Sequence, residues 1–179
     1  NSFRLVPHTA ISNSDVVFVG YGINAPEKGW NDYAGVDVRG KTVLILVNDP
    51  DWETPTVGGE FNGRAMTYYG RWTYKYEEAA RQGAAAAIIV HDTEPAAYGW
   101  NVVRTSNTGN RYHIDAADGH AGETAANGWI QLERTRALFT AAGLNFDALR
   151  TSAKQRGFRA VPLTGVQASL SFDSAMRRA

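Results

Sequence analysis

Two histidines and three carboxylates fall within eleven residues, His113-Ile114-Asp115-Ala116-Ala117-Asp118-Gly119-His120-Ala121-Gly122-Glu123. Imidazole and carboxylate are ordinary ligands of zinc, and carboxylates of calcium, so the segment has the side chains to hold either ion. Its spacing fits neither His-Glu-x-x-His nor a calcium loop with acids at alternate positions. Asp118-Gly119 reads more simply as a turn, Asp accepting a local N–H and Gly supplying positive φ. No Gly-x-Ser-x-Gly elbow accompanies His8, His91, His113 or His120. Gly20-Tyr21-Gly22 lacks the third glycine and the helix start of a phosphate loop. The chain has no cysteine, which excludes disulfides, thiolate zinc sites and a Cys nucleophile.

A second concentration of chemistry lies between Trp52 and Trp100, where Phe61, Tyr68, Tyr69, Trp72, Tyr74, Tyr76 and Tyr98 are interleaved with Arg64, Arg71 and Lys75. Tyr, Trp and Arg dominate binding hot spots because they bury much area and keep a polar handle. The same rings could equally roof a small sheet, and Tyr76 is core by its helical phase. For the stretch Arg64 to Trp72 both readings, packing and contact with a partner, stay open.

These groups sit in a chain of 179 residues, the size of one domain with a real core. Lys plus Arg and Asp plus Glu balance at 18 each, so no global field favours nucleic acid or an anionic membrane. No apolar run approaches the roughly 20 residues that span a bilayer. The start Asn1-Ser2-Phe3-Arg4, without Met or a signal-like apolar segment, reads as that of an excised fragment or a mature segment.

The elements that must position the candidate groups follow from pattern. Asp15 to Val19 is a β-branched and aromatic run ending at Gly20-Tyr21-Gly22. Thr42 to Val47 is apolar without alternation, which predicts a strand buried on both faces. Residues 51–70 read as a long loop. Tyr76, Ala79, Ala80 and Gly83 then define one helical face, with Gly83 at the C′ position and Glu77, Glu78, Arg81 and Gln82 on a solvated side. Ala86 to Val90 is the next buried strand, completing a βαβ crossover with parallel strands. Residues 93–128 read as irregular. A helix-rich appendage is expected over about 129–160: a helix over 133–142, then one over 146–156 with Asn145 as N-cap. Val166 to Phe172 alternates as a strand with one wet face. Opening and closing on strands, the chain could bring its two ends together, as an inserted domain requires.

Several blocks resemble one known family. These are Val17-Phe18-Val19-Gly20-Tyr21-Gly22, the stretch from Trp30 to Val43, the stretch from Phe61 to Tyr76, Glu77-Glu78-Ala79-Ala80-Arg81-Gln82-Gly83-Ala84, His91-Asp92-Thr93-Glu94-Pro95 and Gly99-Trp100-Asn101-Val102-Val103. In order and spacing they are similar to the protease-associated domain, a non-catalytic module inserted in zinc-dependent aminopeptidases. The resemblance covers about residues 15–172. It implies an α/β fold of compact β-sheets with flanking helices, β/β/α in layers, in one domain over 1–179 (core about 15–128 plus 163–172), without the catalytic peptidase domain. It also implies a secreted or periplasmic parent whose zinc lies in that other domain, held by an ordered set of His-x-Asp, Asp, Glu-Glu, Asp and His ligands.

His113-Ile114-Asp115 and Glu77-Glu78 match two parts of that set, but in reversed order. The chain is therefore expected to hold no catalytic residue, no metal and no cofactor. Its expected partners are the parent's peptidase domain and the peptide substrate, with no nucleic acid and no membrane insertion. Arg64, Tyr68, Tyr69, Arg71 and Trp72 are the residues expected to face the cleft. Two other readings stay open: a self-sufficient metallohydrolase using His113, Asp115, His120 and a glutamate, and a free-standing peptide-binding module.

Overall fold

The computed structural model describes residues 2–55, 57–110 and 112–177. Its frame is a five-stranded sheet in the order β6-β5-β4-β1-β7. The strands are β1 (His8–Phe18), β4 (Thr42–Leu46), β5 (Ala86–His91), β6 (Ala126–Gln131) and β7 (Val161–Asp173). β1, β4, β5 and β6 run parallel, in the registers Val17↔Val43, Ile45↔Ile89 and Ile89↔Trp129. β7 lies antiparallel on β1. A two-stranded ribbon, β2 (Asn24–Ala25) and β3 (Trp30–Asn31), stands apart around a single turn of 3₁₀-helix. The α/β class follows, with helices on both faces of a mixed sheet.

Every residue of β4 is buried, which is why its sequence is continuously apolar. Successive side chains alternate between two cores. On one face Phe18, Leu44, Leu46 and Val90 join Phe139 and Phe146, which are carried by α4 (Leu132–Ala141) and α5 (Phe146–Ser152). Phe18 meets the Phe139 ring edge-on at 5.3 Å and Phe158 at 5.8 Å. On the other face Val17, Val43, Ile45 and Ile89 pack with Tyr76 and Ala79 of α1 (Trp72–Arg81). Two short helices, α2 (Thr93–Ala96) and α3 (Trp100–Ser106), link β5 to β6.

The helix ends are built as their sequences dictate. Gly83 follows the C-cap of α1 with φ +80°, and its N–H donates to Ala80 while the Ala84 N–H donates to Ala79. This pair of bonds closes the Schellman motif. Gly143 ends α4 in the same way, and Asn145 caps α5 by accepting from the Ala148 N–H at 3.0 Å.

Three expectations are corrected. Residues 93–128 are not irregular throughout, since they hold α2, α3 and the start of β6. β6 contains Asn127 and Gly128, poor strand formers, and is held by its in-register pairing with β5 rather than by propensity. α5 ends at Ser152 instead of reaching Arg156. Glu78, assigned to a solvated face, is 3% exposed because the β2–β3 side of the molecule covers that flank of α1. Its carboxylate accepts from Arg81 Nε at 2.7 Å, Gln82 Nε2 at 2.8 Å and Asn24 Nδ2 at 3.3 Å. Burial without these partners would be costly.

The two ends of the β1–β7 pair meet. His8 pairs with Asp173, and the Ser174 N–H donates to the Pro7 carbonyl at 2.8 Å. The chain thus enters and leaves the sheet at one end. The loops after β1 and β4, and the start of α1, lie at the opposite end. Among the described residues no helix is long and apolar enough to cross a membrane.

Candidate functional site

The loop between β4 and α1 is held from beneath by a buried lysine. Lys75 is 0% exposed, and its Nζ donates to the Tyr21 carbonyl at 2.6 Å and the Asn48 carbonyl at 3.0 Å. It also lies 5.7 Å from the Tyr21 ring centroid, within cation–π range. The first turn after β1 and the end of β4 are thereby tied to α1.

Two buried acids face this lysine. Asp32 accepts from the Ile23 N–H at 3.0 Å and Trp30 Nε1 at 2.8 Å. Asp49 accepts from the Thr67 N–H at 2.7 Å and the Thr67 hydroxyl at 3.0 Å. Burial pulls the Lys75 ammonium down to about 8, opposed first by Asp49 and then by Asp32. It pushes the Asp32 carboxyl up to about 7, against the Ile23 and Trp30 donors, and raises Asp49 too. Desolvation is the common cause, since each charge has left water.

The acids also fasten the loop over 51–70. Asp51 accepts from the Phe61 and Gly63 N–H groups at 2.9 and 3.2 Å. At Gly70 a Cβ would stand 2.9 Å from the Asp49 carboxylate, so only glycine lets the chain cross there. The result is a long surface loop with its own internal frame.

On this frame the five residues expected to face a cleft separate into two groups. Arg64, Tyr68 and Arg71 are exposed, and Tyr69 is half-buried. The Tyr68 hydroxyl donates to Glu77 at 2.7 Å, and the Tyr69 hydroxyl to Glu27 at 2.7 Å. The acceptor carboxylates raise both phenols, Tyr69 to about 12. Both rings pack edge-on against Tyr74, at 5.6 and 4.9 Å. Trp72 belongs elsewhere: it meets Tyr76, one turn along α1, at 5.9 Å. Helical geometry sets Tyr74 and Tyr76 about 200° apart around the axis, so Tyr68 and Trp72 lie on opposite flanks of α1.

The Trp72 flank opens onto a groove of about 260 Å³ lined by Phe3, Trp72, Tyr76, Tyr98, Val102, Val103, Ser106, Asn107, Asn127 and Trp129. Four elements build it: the segment before β1, α1, the α2–α3 region and β6. Pattern reading missed it because Trp129 and Val103 lie on the two elements that went unpredicted. Its one advance signal was the aromatic density between Trp52 and Trp100.

The metal-ligand candidates do not converge. His120 Nε2 is bonded to the Ile114 carbonyl at 2.9 Å, and the His120 N–H donates to Asp118 at 3.0 Å. Gly119 has φ +61°, as the turn expected at Asp118-Gly119 requires. His113 packs edge-on against Phe3 at 4.9 Å. Glu77 contacts Tyr68 and, at 3.9 Å, Arg81. Among the described residues no three His, Asp or Glu side chains gather as a metal would need.

The family profile for the PA domain matches residues 3–126, the span from Phe3 in the groove to the first residue of β6. The chain belongs to the PA domain family. Beyond that match lie the rest of β6, α4, α5 and β7, with β6 and β7 forming the two edges of the sheet. A solved aminopeptidase from Aneurinibacillus sp. strain AM-1 is similar at 25% identity, with a TM-score of 0.33, over 75% of this chain and 24% of its own. This chain thus spans about a quarter of that protein's length. No curated protein matches the chain.

Proposed function

We propose that the chain is a non-catalytic accessory domain of a secreted or periplasmic zinc-dependent aminopeptidase, flanking its active-site cleft and narrowing the peptides that enter. The family match over residues 3–126 is the observation that carries this reading. Supporting it, the paired β1–β7 ends give the geometry of an inserted domain, with both chain connections at one end of the sheet. Arg71 and Trp72 stand at the other end, exposed, where the internally supported loop meets the start of α1. A rigid loop is suited to selection, since it loses little freedom when a partner docks. The partners on this reading are the peptidase domain and the peptide substrate.

The test is kinetic, in the full-length parent. Replacing Arg71 and Trp72 together by Ala should change the ratio of kcat/KM between long and short peptides by about tenfold, a shift of roughly 1.4 kcal/mol in relative transition-state binding. The melting temperature of the domain should move little, because both side chains are exposed. An unchanged kcat/KM ratio across peptide lengths would refute the reading.

A further inference from the structure

We propose that the outer edge of β7 is a self-association surface, which takes β7 of a second copy of this chain in antiparallel register about Leu170. Such pairing goes beyond the accessory role and does not depend on it.

β7 is the longest strand, at 13 residues, and it has a neighbour on one side only, β1. The direction of its main-chain groups follows from its last contact. The Ser174 N–H donates to the Pro7 carbonyl, so Ser174 faces β1. Alternation then turns Phe172 and Leu170 toward β1, and Asp173, Ser171, Ser169 and Gln167 outward. Burial alternates without a break from Val166 to Asp173. The register shift between Ile11 and Ser14 sets three steps of β1 against two of β7, so the extra residue lies on β1 and β7 is regular there. Among the described residues no hydrogen bond reaches the main chain of the four outward residues.

A long free edge is ordinarily blunted by charge, proline or a bulge, because it is a template for pairing with another chain. From Leu163 to Phe172 β7 carries no ionisable side chain and no proline. The opposite edge of the sheet differs. β6 has only six residues, and its Gly128 carbonyl already accepts from the Tyr76 hydroxyl at 2.9 Å. Association through β7 uses the same edge of both copies, so it closes on two chains instead of growing into a fibre.

Self-complementarity selects the second copy as occupant. With the two-fold axis at Leu170, Gln167 lies opposite Asp173 of the second copy, and Ser169 opposite its Ser171. Every outward residue then meets another outward residue, and each such pair exchanges two main-chain hydrogen bonds. A shift toward either end of the strand leaves outward groups unmatched. On the half-buried face Leu170 meets its own copy and Ala168 meets Phe172, small against large. Charge agrees with this register. The one carboxylate of the row, Asp173, is held by His8 at 2.7 Å and faces the neutral amide of Gln167. The two Asp173 side chains lie at opposite ends of the joint, roughly 20 Å apart, so no like charges are opposed across the strands, which would be destabilising.

The experiment is sedimentation equilibrium on this 179-residue chain, with cysteine cross-linking to read the register. The chain should populate a dimer at about 100 μM. Ser171→Pro removes an outward N–H and sets its ring on the free edge, where a strand tolerates proline. It should weaken the dimer at least about tenfold, and Ser171→Ala should leave it unchanged. Because the chain has no cysteine, Leu170→Cys introduces the sole thiol of each copy. The two Cα atoms across the axis would stand about 4.5 Å apart, within disulfide reach, so oxidation by diamide should link the pair. The thiols of Ala168→Cys would be four residues out of step, roughly 14 Å apart, and should stay reduced. This pattern reads the register independently of how Ser171→Pro affects the strand. A wild-type chain that stays monomeric at about 100 μM, a Ser171→Pro dimer as tight as the wild type, or equal cross-linking of the two cysteine variants would each overturn the proposal.

Discussion

One helix, α1, carries two flanks with opposite solutions to burial. Toward β2 and β3, Lys75, Glu78 and Tyr74 are sealed in, and the charges of Lys75 and Glu78 are met there by hydrogen-bond partners. Toward α3 and β6, Trp72 and Tyr76 line a groove among the described residues. A closed polar network fixes one geometry, because each member is costly to leave unpaired. A groove lined largely by rings and methyl groups makes no such demand. The first flank is therefore the part of the molecule that holds shape, and the second is the part with surface left to offer.

The contrast breaks most severely at Lys75. Lys75→Met keeps the length of the side chain but strands the carbonyls of Tyr21 and Asn48 and leaves two buried carboxyls without their cation. Removing one partner of a buried ionic cluster costs about 3–5 kcal/mol, so urea unfolding should show a loss of that size. A loss below about 1 kcal/mol would mean that the network holds nothing in place.

The pH dependence sharpens the same point. With its pKa raised from 3.8 to about 7, Asp32 contributes stability that is full below about pH 4 and lost as pH rises toward 7. Lys75, lowered from 10.5 to about 8, contributes stability that is present above about pH 10.5 and lost as pH falls toward 8. The pair's own contribution is thus smallest near neutrality. Asp32→Asn should flatten the slope between pH 4 and 7 by roughly 2–4 kcal/mol in total, read from unfolding curves across that range. An unchanged slope would assign the dependence to other groups.

The smallest effect belongs to the open flank. Trp72→Ala should alter unfolding free energy by no more than about 1 kcal/mol, since its ring is partly in water already. Phe139→Ala, at the Phe18 contact on the opposite face, should cost about 3–5 kcal/mol. Similar losses for both would show that Trp72 is a core residue and that the groove is a packing defect.

Much of this architecture was legible in the sequence, and the legible parts share a cause. β4 and β5 are unbroken apolar runs, α1 ends on a Gly in the left-handed region, and Asp118-Gly119 is a turn because Asp and Gly favour one locally. Each of these is decided within a few residues. β6 was not legible, since Asn127-Gly128 argues against a strand until β5 stands beside it. Lys75 was not legible either. A single apolar stripe was assumed for α1, whereas Tyr74, Lys75, Tyr76, Glu78 and Ala79 are all buried, so that most of the helix's circumference is covered. The partners responsible, Asp32, Asp49 and the Tyr21 and Asn48 carbonyls, come from segments remote in the chain. Of the five residues grouped by sequence proximity, Trp72 parted from Tyr68 because 100° per residue turns it to the other flank.

Lys75 has one more consequence. Carbonyl and carboxylate oxygens gathered about a positive charge form the kind of cage in which proteins hold a metal cation, but here the charge is tethered by four methylenes. A bound ion stabilises only in proportion to how far its concentration exceeds its dissociation constant. A tethered ammonium has no concentration: dilution, dialysis and chelators cannot deplete it. This domain carries its central cation in its own gene.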